Sequence, residues 1–146
     1  MRTMGKTWGS TAAVVLIAAC SSPPPPAEMA VRTDSAPVAE DFPEVGEIVS
    51  ASWVEERMGA TEGRDAAPGP SDLRLSALVK LRREAVAKVL ADYKCQAGSP
   101  AVPESLKGLF PSGVKWLSCA LPTTTKARTA FVVEGSEQAF LTSTTM

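Results

Sequence analysis

Residues 73–81, LRLSALVKL, alternate. Leu73, Leu75, Ala77, Val79 and Leu81 fall on one side of an extended chain, and Arg74, Ser76 and Lys80 on the other. A period of two is the mark of a strand with one face in a core. Leu78 interrupts the polar side and predicts contact with a second layer or a partner. The period then changes at once. In 82–94, RREAVAKVLADYK, Val86, Val89, Leu90 and Tyr93 recur at i, i+3, i+4 and i+7, which is one helical face. Ala85, Ala87 and Ala91 add helix propensity. A strand with one apolar face that runs straight into such a helix points to a sheet and a helix sharing a core.

The remaining segments add strands. Residues 46–56, GEIVSASWVEE, carry Ile48, Val49, Trp53 and Val54, which suit a pleated surface. The stretch MGATEGRDAAPGPSD, with three glycines and two prolines, reads as the loop before 73–81. After the helix, PESLKGLF reads as a short turn, and strands are expected at 114–121, 128–133 and 138–144. The last two are joined by Glu134-Gly135-Ser136-Glu137, where Gly135 can take a positive φ, so a hairpin is expected. Strands joined by short turns favour antiparallel pairing. The expected class is α+β: a small antiparallel sheet of about five strands with one main helix packed on a face. Only seven aromatic residues lie in 42–146, which leaves the core to Val, Leu and Ala.

The amino-terminal part follows other rules. The first eight residues hold Arg2 and Lys6 and no acid, and 9–19 are small or apolar. A positive stretch before a short apolar one describes a secretory signal peptide. The run is too short to span a bilayer, which takes about 20 apolar residues. It ends Ile17-Ala18-Ala19-Cys20, which resembles the lipobox of bacterial lipoproteins: an aliphatic residue, two small ones, then the cysteine. The resemblance implies removal of 1–19 and lipidation of Cys20, since a thiol is the nucleophile that forms the thioether to a diacylglyceryl group. It also implies the membrane as a partner through that lipid. The protein would then face outward from the plasma membrane of a Gram-positive cell or sit on the periplasmic side of a Gram-negative outer membrane. Residues 20–41, CSSPPPPAEMAVRTDSAPVAED, contain five prolines and no aromatic, and read as a disordered tether with a polyproline II rod at its start. The single domain is then expected at 42–146. The stretch PGPSDLRL is similar to uncharacterised actinobacterial lipoproteins, a similarity that implies no activity. The alanine-, proline- and arginine-rich composition fits a GC-rich genome.

Chemistry is thinly represented. The chain has no histidine, which removes the usual general base and the commonest metal ligand. No phosphate-binding glycine loop or metal-ligand cluster is visible, so neither cofactor nor metal is expected, and no nucleic acid. Cys95 and Cys119 are the thiols that remain once Cys20 is lipidated. In an oxidising compartment such a pair usually bridges; two buried free thiols and a redox pair are the alternatives. Ser112-Gly113-Val114-Lys115 matches the letters of the Ser-x-x-Lys motif of penicillin-interacting serine enzymes. Its companion Ser-Asp-Asn cannot occur in a chain without asparagine, and no Lys-Thr-Gly is present. Glu40-Asp41 and Glu55-Glu56 read as solvated surface. Trp53 and Trp116 read as core residues, with stacking on a sugar as the alternative.

Charge divides the chain. Between Ala27 and Asp72 there are eleven acids and three bases, and from Leu73 onward ten bases and five acids. Either the basic half meets an anionic lipid or polymer, or the two halves face each other in one fold. The expected function is a lipid-anchored, non-catalytic binding or accessory domain for an envelope protein or polymer. The alternatives are an accessory hydrolase of cell-wall material using Ser112 and Lys115, and a structural stalk.

Overall fold

The computed structural model describes residues 30–58 and 72–145. Among the described residues the fold is mostly β, with six antiparallel strands and one main helix. The strands are β1 (Ile48–Met58), β2 (Asp72–Leu81), β3 (Cys95–Ala97), β4 (Leu117–Ala120), β5 (Lys126–Val132) and β6 (Gln138–Thr145). The helices are α1 (Ala36–Asp41) and the longer α2 (Arg83–Asp92). Short 3₁₀ helices lie at Pro43–Val45 and Glu104–Leu109. The strand order is β1-β2-β6-β5-β4-β3. The first hairpin thus leaves the sheet through α2, enters again at the far edge as β3, and meanders back until β6 closes against β2.

Six strands form where about five were expected. The additional one is β3, three residues long, which sequence periodicity cannot reveal because the alternation is too brief. It pairs with β4 in the register Cys95↔Cys119, Gln96↔Ser118 and Ala97↔Leu117.

The alternation at 73–81 sorts the two faces of the sheet as expected. On the first face Leu75, Ala77, Val79 and Leu81 are buried, together with Ala51 and Trp53 of β1 and Leu141 of β6. Val86 and Val89 of α2 belong to the same buried cluster, and Leu90 and Tyr93 pack against it. Burying a valine fully is worth about 1.5–3 kcal/mol, so this stripe ties α2 to the core. The second face has its own smaller cluster of Val54, Leu106, Trp116 and Phe140. Leu78 packs against it, which accounts for an apolar residue on the otherwise polar side of β2. The covering layer there comes from the connection between β3 and β4, including the 3₁₀ turn Glu104–Leu109 that buries Leu106.

The tether reading of 20–41 does not hold for its second half. Arg32 forms an antiparallel bridge with Trp53, its N–H donating to the Trp53 carbonyl at 2.8 Å and its carbonyl accepting from the Trp53 N–H at 2.9 Å. The Trp53 Nε1 donates to the Asp34 carbonyl at 2.7 Å. Val38 of α1 is fully buried in the first cluster beside Phe42 and Val45. The folded domain therefore begins well before residue 42. Prolines misled here: Pro37 and Pro43 sit in the first turns of α1 and of the 3₁₀ helix that follows, where a missing N–H costs nothing. Gly46 then takes φ +76, a conformation that turns the chain into β1 and that a side chain would disfavour.

Candidate functional site

The first candidate, Cys20, lies outside the described residues, as do the signal segment 1–19 and the tether up to residue 29. Among the described residues no helix is long and apolar enough to cross a membrane.

Cys95 and Cys119 are bridged. Their Cα atoms lie 4.1 Å apart on directly opposed positions of β3 and β4. The Gly98 N–H donates to the Trp116 carbonyl at 3.2 Å, which makes Gly98–Trp116 a hydrogen-bonded pair. The alternation of an antiparallel ladder then makes Cys95–Cys119 a non-hydrogen-bonded pair, where side chains approach most closely. The bridge fastens a three-residue edge strand to the sheet.

Ser112 and Lys115 do not share a helical turn. Both are exposed, in the connection that leads to β4. Ser112 sits in a bend next to Gly113 at φ +72, not at the start of a helix. The motif depends on one helical turn to carry the lysine back to the serine, and no such turn exists here. Trp53 and Trp116 are core residues. Trp53 is 2% exposed, with the Arg32 guanidinium 4.9 Å from its ring centroid. Trp116 stacks on Phe110 with centroids 5.0 Å apart, and Phe110 meets Phe140 edge-on.

The densest polar cluster was missed from sequence. Arg128 of β5 is buried and forms a bidentate pair with Glu44, at 2.9 Å from Nη1 and 2.5 Å from Nη2. The same guanidinium donates to the carbonyls of Asp41 and Pro122, at 2.7 and 2.8 Å. Asp41, at the end of α1, accepts from Lys126 Nζ at 2.6 Å and from the Ser143 hydroxyl at 3.0 Å. Ser143 and Arg128 are direct cross-strand partners. Two carboxylates meet two cations, so the cluster is neutral and each charge is paired. It clamps the 36–45 segment to β5 and β6. Asp41 is thus not the solvated acid that its neighbour Glu40 suggested.

Arg128–Glu44, Lys126–Asp41 and Arg82–Glu47 each join a base of the second half to an acid of the first. This accounts for part of the division of charge: the two halves face each other. The Arg82 guanidinium, hydrogen-bonded to Glu47, holds that carboxyl below the usual carboxylate range, and Glu47 raises Arg82 in return.

An open cleft of about 560 Å³ lies on the second face. Ser50 and Ser52 of β1, Leu78 and Lys80 of β2, and Gln138 of β6 line it. Ser50, Lys80 and Gln138 stand opposite one another across three strands, with Ser52 and Leu78 in the adjoining row. The β5–β6 turn supplies Ser136 and Glu137, α2 supplies Arg83 at its first turn, and the 3₁₀ turn supplies Leu109. Gly135 adopts φ +76 to close that turn, which is held by the Ser136 N–H on the Val133 carbonyl and by the Leu81 N–H on the Glu137 carbonyl. Lys80 and Glu137 form an exposed ion pair at 3.3 Å. Each lining residue is unremarkable alone, and only the β1–β2–β6 register assembles them. Among the described residues no group of three or more His, Cys, Asp or Glu side chains is placed to hold a metal ion.

Comparison of the chain with protein-family models, with curated proteins and with solved structures gave no match.

Proposed function

We propose that the chain is an extracytoplasmic lipoprotein, anchored by lipid on Cys20, whose domain is a non-catalytic binding or accessory module. The observation that carries the anchor is the run Ile17-Ala18-Ala19-Cys20 behind a short apolar segment with a positive start. The Cys95–Cys119 bridge supports the same address, because such bridges persist outside the reducing cytosol. In this reading α2 packs on the first face of the sheet and leaves the cleft of the second face open to a partner. The residues before Ala30 then act as the spacer between membrane and domain.

Metabolic labelling with a fatty-acid analogue tests the anchor. The wild-type protein takes up the label, and Cys20→Ser loses it and accumulates as the uncleaved precursor. Equal labelling of both proteins would refute the lipoprotein reading.

A further inference from the structure

We infer that the cleft on the second face binds a short peptide that ends in a free carboxylate and carries an aliphatic side chain beside it. The inference rests on the binding-module reading of the domain and is independent of the lipid anchor.

Charge comes first. Two cations, Lys80 and Arg83, line the cleft against one acid, Glu137. Glu137 is committed only to Lys80, at 3.3 Å with side chains 54% and 42% exposed. An exposed pair of this kind contributes little to stability, so an incoming carboxylate can replace Glu137 at little cost. Arg83 has no ion-pair partner among the described residues. A guanidinium and an ammonium lining one cleft suit it to a carboxylate.

Apolar surface comes second. Leu109 stands 53% exposed at the rim, and Leu78 is half-buried in the adjoining wall. Together they offer aliphatic surface in the same cleft as the cations. Ser50, Ser52, Ser136 and the Gln138 amide supply both donors and acceptors, as a peptide backbone requires. Among the described residues no aromatic side chain lines the cleft. Saccharide sites draw on aromatic faces, and Trp53 and Trp116 are buried elsewhere, so a peptide fits better than a sugar chain. The volume of about 560 Å³ suits a ligand of small-molecule size rather than a folded partner.

The test uses the full chain in detergent and follows backbone amide shifts by NMR. The probes are acetyl-alanyl-alanyl-leucine with a free carboxylate, the same peptide as its terminal amide, and an oligogalacturonate. The expected result is saturable shifts at Ser50, Ser52, Lys80 and Gln138, with the acid binding about ten-fold more tightly than the amide, the loss expected for one charged contact. The double variant Lys80→Ala, Arg83→Ala should erase that preference, and Lys80→Arg alone should keep it. Both positions are exposed, and an unchanged melting midpoint checks the fold of the variants. Equal binding of acid and amide by the wild-type chain, shifts confined to other residues, or no saturation in the millimolar range would overturn the inference. So would charge-dependent binding of the oligogalacturonate without binding of the peptide. None of these outcomes bears on labelling at Cys20, so the two claims fail separately.

Discussion

Arg128 directs its Nη1 and Nη2 donors to Glu44 and to two carbonyls, and its Nε remains buried without a partner. Removing the guanidinium would strand the Glu44 carboxylate and the Asp41 and Pro122 carbonyls together. Breaking a buried pair from one side costs about 3–5 kcal/mol because the charge left behind is uncompensated. Glu44 keeps some solvent contact, at 20% exposure, so the lower end applies. Arg128→Ala should therefore lower the urea unfolding free energy by roughly 3 kcal/mol. A loss below about 1 kcal/mol would show that the clamp is no stronger than a surface pair. This residue was not legible in the sequence. Nothing in the spacing of Asp41, Glu44 and Arg128 brings them together; the pairing of β5 with β6 and the folding back of α1 do. Trp53 was legible, because a large apolar side chain in a β-prone run has few places to go but the core.

At the scale of elements, the helical stripe Val86–Val89–Leu90–Tyr93 and the alternation of β2 were readable because burial imposes its period directly on the sequence. β3 was not, being too short to show a period and held by a cross-link. The bridge closes a sequence separation of 24 residues, which the chain-entropy model credits with roughly 3 kcal/mol. Replacing Cys95 and Cys119 together by alanine should lower the melting midpoint and leave β1, β2, β5 and β6 paired. Circular dichroism checks this, and collapse of the sheet signal would show that β3 is required for the fold. The segment from Arg32 to Asp41 misled for a different reason. Its composition is that of a tether, yet Val38 and the backbone of Arg32 and Asp34 are used fully by the core and by Trp53. A chain starting at Ala30 should melt like the mature protein. A chain starting at Phe42 loses the burial of Val38, the Arg32 bridge and the Asp41 contacts, and should be destabilised by at least about 3 kcal/mol. Equal midpoints would restore the tether boundary at residue 41.

For the whole molecule, we propose a removable leader and a lipid on Cys20 ahead of the oxidised domain, whose described residues begin at Ala30. Of the two readings of an acidic first half and a basic second half, three ion pairs favour the one in which the halves face each other. In the cleft, Lys80, Arg83 and Glu137 stand with apolar surface and hydroxyls. The central claim is best tested by the intact mass of the protein extracted from the membranes of its own cells. The account predicts a chain that begins at Cys20, carries a diacylglyceryl group there, with or without a further acyl chain on its amino group, and lacks the two hydrogens removed by the Cys95–Cys119 bridge. A mass that retains residues 1–19, or one that begins at Cys20 without lipid, would contradict it.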